Sequence, residues 1–350
     1  MKASLFGLDK QNISKTQFWG KNTFNNVFPL SLLCFMEERR ILPKYLIFKS
    51  GKVEQISITH HELFGVCDDG RLAYTKVYFD IEAIDERYNS YFKTREQRRK
   101  IDVVVRDKET LSALRSLEMK LTAVPDNSTV EKPEDHQSAE IVIRQDTIVY
   151  LAMSIVKILT TETSIHKDEL KSELIGLLKT NREDQISILG LKEVLLGFFS
   201  KYEAKQIPIV LQPIWRTKGN STELLDNCLD VFVWSNFAFS KLFLDSLSSR
   251  NKRCGRTLIW LTETIVECIE KGFADIDKIY AVTYGKQNDK SFAVNGNRTF
   301  KYLDSKELKM PRIRRNEIDE IILGDGIQQL KPERRFDAAL RIGYYLARSK

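Results

Sequence analysis

The sequence is poor in the residues that staple a fold or gather a soft metal. Its five cysteines (Cys34, Cys67, Cys228, Cys254 and Cys268) are odd in number, widely spaced and never in a C-x-x-C pair. That argues against a disulfide framework and against a zinc knuckle. The four histidines do not sit at metal-ligand spacing beside these cysteines. The adjacent His60 and His61 read as a polar strand end, where neighbours point to opposite faces. Long apolar runs are also missing: no stretch approaches the ~18 uninterrupted apolar residues of a membrane span, and the N-terminus lacks a signal-peptide pattern. A cytoplasmic protein with no membrane contact is expected. There is no low-complexity tract and no internal repeat at the usual periods.

What is present suits a globular protein with a charged partner. A chain of 350 residues, 42% hydrophobic and 29% charged, can bury a substantial core in one large domain or two moderate ones. The net charge of +7 fits a polyanion-binding protein, because cations that neutralise phosphates release counterions. The cations cluster. Lys93, Arg95, Arg98, Arg99, Lys100 and Arg106 form one group; Arg250, Lys252, Arg253 and Arg256 another. Lys309, Arg312, Arg314 and Arg315 form a third, and Lys331, Arg334 and Arg335 a fourth. A single charge run is commonly a solvated face, whereas several together point toward nucleic acid.

The chain changes character at Pro29, from an irregular Gly- and Asn-containing lead-in to apolar residues at helical spacing. YLIFKSG then reads as a strand with a glycine turn, and VEQISIT as its hairpin partner. IDVVV and LEMKLTAV read as two neighbouring strands separated by DKETLSAL. The acidic, proline-containing PDNSTVEKPEDHQSAE reads as an exposed loop. Beyond it DTIVYLAMSIVKILT, HKDELKSELIGLLKT, ISILGLKEVLLGFFSKYEAK and TLIWLTETIVECIEK carry apolar residues at intervals of three and four, with IPIVLQPIWRT interrupting as a strand. The expected fold is α/β, a mixed central sheet flanked by helices. Residues 1–145 would hold the hairpin of those two strands, and 146–350 a helix-rich region for nucleic-acid recognition and dimerisation, separate from the core or continuous with it.

Within IDVVV, Asp102 is the one charged residue, and a carboxylate in a buried strand is costly unless it is paired or holds a metal. Glu118 and Lys120 are two apart, so they share one strand face while Leu117, Met119 and Leu121 take the other. Phosphodiester hydrolysis needs two carboxylates to hold a hard cation and a positive group near the attacking water. On this reading Asp102, Glu118 and the Met119 carbonyl bind Mg2+, and Lys120 orients the water. A Glu-x-Lys strand is also the ordinary solvent face of an amphipathic strand, and the motif is permissive. Of the acidic group Asp80, Glu82, Asp85 and Glu86, Glu82 is the candidate for a further metal ligand, the others being assigned to surface.

These residues resemble a known family, the HindVP-like type II restriction endonucleases of the PD-(D/E)XK nuclease superfamily. The resemblance begins at SLFGL and WGKNTFNNVFPLSL and includes LEMKLTAVPD at the proposed site. It continues through QDTIVYLA, LQPIWRTKG, CLDVFVWSNFAFSKLF, FAVNGN and PERRFDA. It implies a Mg2+-dependent homodimer cutting double-stranded DNA at a short degenerate palindrome, GRCGYC, beside a DNA methyltransferase as genetic partner. Asp102, Glu118 and Lys120 match the family's nuclease motif, with Ile101 where a proline usually precedes the first Asp. Base reading would fall to WRTKGNS, with Trp215, Arg216 and Lys218, unless that segment is a strand-to-helix turn with Trp215 packed and Ser221 or Thr222 as cap. Arg98 and Arg99 are further candidates for DNA contact, and Arg314 and Arg315 for phosphate. The alternatives are a non-catalytic DNA-binding protein on a nuclease fold, or a structure-specific repair or RNA-processing nuclease.

Overall fold

The computed structural model describes residues 29–30, 32–33, 36–37, 40–93, 100–120, 122–125, 141–143, 145–160, 164–179, 185–217, 224–245, 252–275, 292–294 and 313–314. The described residues from Pro29 to Glu37 are helical, as their spacing predicts. Strands β1 (Lys44–Lys49) and β2 (Lys52–Ser57) form the expected hairpin. Its turn places Ser50 and Gly51 at φ 47° and 79°, the backbone that matches the twist of tightly joined strands.

His60 and His61 lie in a helix rather than at a strand end. In α1 (His60–Phe64) the Thr59 side chain accepts from the Glu62 N–H, and the Glu62 side chain reaches back to the Thr59 N–H. This reciprocal cap favours a helix start over the strand expected there. His60 is buried, and that burial lowers its pKa to about 4, so it is neutral.

A short helix α2 (Ala73–Lys76) leads into β3 (Val77–Ile84), followed by a 3-10 segment, Glu86–Tyr91, and β4 (Phe92–Lys93). Next come β5 (Lys100–Asp107), β6 (Ala113–Met119), β7 (Thr122–Pro125) and β8 (Ile141–Ile143). The expected single strand LEMKLTAV is therefore two. β6 begins earlier, at Ala113, and ends at Met119, and β7 resumes along β9, which the end of β6 also pairs. Helices α3 (Gln145–Thr160), α4 (Ser164–Lys179) and α5 (Gln185–Lys201) match the periodic segments. After them come β9 (Pro208–Thr217), β10 (Leu224–Ser235), α6 (Asn236–Asp245) and α7 (Lys252–Lys271). Short strands β11 (Ala274–Asp275), β12 (Phe292–Val294) and β13 (Ile313–Arg314) complete the described chain. The exposed loop expected after Pro125 lies outside the described residues.

The main sheet runs β2-β1-β10-β9-β6-β5-β3, with β7 beside β9 and β13 beside β10. It is mixed, β1 with β10 and β6 with β9 being parallel and β5 with its two neighbours antiparallel. β9 and β10, from the C-terminal half, thus lie between strands of the N-terminal half. The helices cover one face. Ile148 through Ile155 of α3 are buried all round the helix, as a core helix requires, and pack in one cluster with Leu174, Leu195, Phe237, Leu261, Phe232 and Trp234. The other face is also covered: Val103, Val105, Leu117, Leu211, Val231 and Val233 are fully buried, and Phe64 of α1 packs edge-on to Phe79 of β3. Burial on both faces explains the near-continuous apolar runs of these strands.

Candidate active site

β5 and β6 run antiparallel, with Val104 opposite Ser116 and Val103 opposite Leu117. One step further, the same register sets Asp102 opposite Glu118. On the other side of β5, Ile81 pairs with Val103 and Ala83 with Ile101, which sets Glu82 opposite Asp102. Glu82, Asp102 and Glu118 therefore stand in one row across three neighbouring strands. The described residues contain no group of three or more His, Cys, Asp or Glu close enough to hold a metal ion, so this row is not a closed three-carboxylate cluster.

The β5–β6 ladder stops at Val103 and Leu117, one pair short of the two acids. Instead of a strand partner, the Met119 N–H donates to Asp102 Oδ2 at 2.8 Å. β6 then joins β9: Glu118 pairs with Val210, Met119 with Leu211, and the Lys120 N–H donates to the Leu211 carbonyl at 2.9 Å. The strands fork at the candidate site, with the Asp102 carboxylate in the fork. Along β9 the register is unchanged from β6 to β7, Met119 standing opposite Leu211 and Thr122 opposite Ile214. A strand residue's N–H and C=O point to the same side, so the Met119 carbonyl also faces the Asp102 strand.

Glu118 and Lys120 share a face as their spacing predicts, Lys120 Nζ lying 3.4 Å from Glu118 Oε2. Their side chains are only 7% and 11% exposed. Desolvating either charge alone costs several kcal/mol, so the two hold each other in place, little screened by salt. This removes the reading of Glu-x-Lys as a plain solvent face.

Glu82 has φ 50° inside a strand. A non-glycine residue in this region is uncommon, and here it bends β3. Beyond the bend Ala83 packs on Val104 and Ala113, and the chain carries Asp85 and Glu86 to β6. Asp85 is not at the surface as expected; it is 1% exposed and accepts from Arg87 and from the Ser116 hydroxyl. Burial pushes its carboxyl up, but the Arg87 and Ser116 hydrogen bonds outweigh that and hold it below the usual range. Asp80 and Glu86 both pair with Arg106, whose guanidinium also donates to the carbonyls of Ile84 and Leu111. Arg106 is thereby a structural tie among acids, not a free member of the first basic cluster.

Sequence reasoning missed Arg87, Ser116 and Tyr150 around β6 and assigned Asp85 to the surface. A polar Ser two residues before Glu118, on its face, was the available signal. Of the DNA-contact candidates, Arg98, Arg99, Lys218 and Arg315 lie outside the described residues. Trp215 and Arg216 belong to β9, and Arg314 to β13, as backbone positions. β9 ends at Thr217 and the next described element is the antiparallel strand β10, not the helix that the strand-to-helix turn would lead into; Ser221 and Thr222 lie outside the described residues.

The sequence profile of the HindVP restriction endonuclease family matches residues 19–345. The chain belongs to that family. It is 38% identical to the type II restriction enzyme HgiDI of Herpetosiphon aurantiacus over 345 residues, 96% of this chain and 94% of that protein. It is 34% identical over 350 residues to the Haemophilus influenzae protein named as a probable type II restriction enzyme, HindVP, covering 97% of this chain and 93% of the other. No solved structure matches. HindVP family membership makes this chain one of a family of enzymes, and the forked strands are where its α/β fold gathers acids with a lysine. Among the described residues no helix is long and apolar enough to cross a membrane.

Proposed function

We propose that the chain is a type II restriction endonuclease that hydrolyses double-stranded DNA at a short palindrome, GRCGYC by resemblance, with Mg2+ as cofactor. The observation that carries this reading is the strand fork, which collects Asp102, Glu118 and Lys120 in a chain alike along its length to HgiDI. Its oxygens, two carboxylates and the Met119 carbonyl, are a hard donor set of the kind Mg2+ takes, since that ion commonly binds one or two carboxylates and keeps several waters. When bound, the metal supplies Lewis acidity at the phosphoryl group and a more acidic water.

Each residue has a part that follows from its place. Asp102 is anchored by the Met119 N–H through Oδ2, which orients the carboxylate in the fork. Lys120, held beside Glu118, presents a cation where the water attacks and where charge develops on the phosphoryl oxygens. Glu82 is the proposed further ligand, its bent backbone setting it opposite Asp102. The protein acts as a homodimer, because a palindrome has the two-fold symmetry that an isologous pair mirrors, one site per strand. Trp215, Arg216, Lys218, Arg98, Arg99, Arg314 and Arg315 remain the proposed DNA contacts. A cytoplasmic setting beside a DNA methyltransferase follows from the same family reading.

Digestion of a plasmid carrying GRCGYC, with and without Mg2+, tests this. Discrete fragments only with the metal are expected. Binding without cutting would move the protein to a non-catalytic DNA-binding class, and cutting that follows DNA structure rather than sequence would indicate a repair-type nuclease.

A further inference from the structure

β6 is gripped just upstream of Glu118 by side chains that no motif marks. The Lys120 N–H faces β9, so by the alternation of a strand the carbonyls of Leu114 and Ser116 lie along that same edge. The ladder to β9 begins only at Glu118 and Val210, and β9 itself starts at Pro208, which has no N–H to offer. Two side chains fill the gap. Tyr150 Oη, from α3, donates to the Ser116 carbonyl at 2.7 Å, and Arg87 Nη1 donates to the Leu114 carbonyl at 2.5 Å. The Ser116 hydroxyl donates to Asp85, which also holds Arg87 through Nε at 2.9 Å and through Nη2. Asp85 and Ser116 are each 1% exposed, Tyr150 2%. Tyr88 packs edge-on to Tyr150 with ring centroids 5.6 Å apart, and the Arg87 guanidinium lies over Tyr88.

We propose that Tyr150, Arg87 and Asp85 are positioning residues for Glu118: they hold the unpaired edge of β6 as a missing strand would and so set where the Glu118 carboxylate stands. This rests on the reading of Glu118 as a catalytic carboxylate. Ser116 is two residues before Glu118 and on the same face, so a shift of its peptide moves the acid directly. Partners that orient a ligating carboxylate without touching the substrate typically change metal affinity or activity by about 10- to 100-fold when removed.

The test is Tyr150→Phe, which deletes one hydroxyl and keeps the ring packed on Tyr88, measured beside Glu118→Ala. For Tyr150→Phe the expected result is a kcat for plasmid cleavage about tenfold lower and a raised Mg2+ midpoint. DNA affinity without metal, KM and the melting profile should stay close to wild type. Full kcat with an unshifted Mg2+ midpoint in the folded variant would overturn the proposal. So would a loss of rate matched entirely by a loss of folded protein. Should Tyr150→Phe not fold, Ser116→Ala carries the same expectations through the Asp85 contact. If Glu118→Ala cuts like wild type, the catalytic reading of Glu118 fails, and that outcome is distinct from an inert Tyr150→Phe beside a dead Glu118→Ala.

Discussion

At the scale of single residues, the proposed chemistry is concentrated in three side chains whose surroundings differ. Asp102 is half-buried and oriented by a backbone N–H, while Glu118 and Lys120 are nearly enclosed and face each other. Asp102→Ala and Lys120→Ala are expected to bind DNA with little change and to lose cleavage by about 100-fold or more, as filter binding and plasmid digestion would show. Undiminished cutting by either would remove it from the mechanism. Glu82→Gln, isosteric but uncharged, is expected to raise the Mg2+ concentration for half-maximal cleavage by about tenfold. An unchanged midpoint would leave Glu82 with only its role in bending β3. A second titratable group bears on stability. His60 has a folded pKa of about 4 against an ordinary 6.5, so the unfolded chain takes up the proton first. Its contribution is complete above pH 6.5 and is lost as pH falls toward 4. Urea unfolding at pH 7 and pH 5 should differ by about 2 kcal/mol from this group, and His60→Gln should flatten that difference.

At the scale of elements, most of the fold was legible in the sequence. The β1–β2 hairpin, β5, β9 and helices α3, α4, α5 and α7 stand where their periodicities put them, and β6 is the expected neighbour of β5 with other bounds. Two kinds of element were not legible. Local side-chain bonds beat pattern in α1, where Thr59 and Glu62 cap a helix that His60 and His61 did not announce. Long-range pairing decided the end of β6: the Asp102 bond to the Met119 N–H spans 17 positions, and the transfer to β9 sets Glu118 beside Val210, far along the chain and beyond any sequence window. A similar substitution of side chain for strand occurs on β1. Gln206 accepts from the Phe48 N–H at 2.9 Å and donates to the Phe48 carbonyl at 2.8 Å, beyond the last β1–β10 pair at Leu46. Gln206→Ala is expected to cost at least about 2 kcal/mol in urea unfolding, through those two bonds and the two that the same amide makes to the Glu203 carbonyl and from the Ser235 hydroxyl, while cleavage by the folded protein stays unchanged. A change within about 0.5 kcal/mol would show that water replaces the amide there.

At the scale of the whole molecule, one sheet unites the chain. Because β9 and β10 lie between β1 and β6, strands of the C-terminal half stand beside the β5–β6 pair that carries the proposed site. The three catalytic candidates were readable as D-x(15)-E-x-K, and the register sets Asp102 opposite Glu118, whereas the supporting Asp85, Arg87 and Tyr150 come from three separate elements and carry no motif. The net charge of +7 was legible as a sign of a polyanionic partner, but Arg106 illustrates why a cluster read from sequence overcounts: acids from β3 and the following 3-10 turn had already claimed it. If the protein is the proposed homodimer, sedimentation should give twice the 40.6 kDa chain mass, and a monomer that cuts both strands would contradict the symmetry argument. The most direct test of the proposed activity is to sequence the ends of plasmid fragments released by the purified protein with Mg2+. Every end should derive from GRCGYC, and Lys120→Ala should release none. Ends with no common sequence, or the same ends from Lys120→Ala, would contradict it.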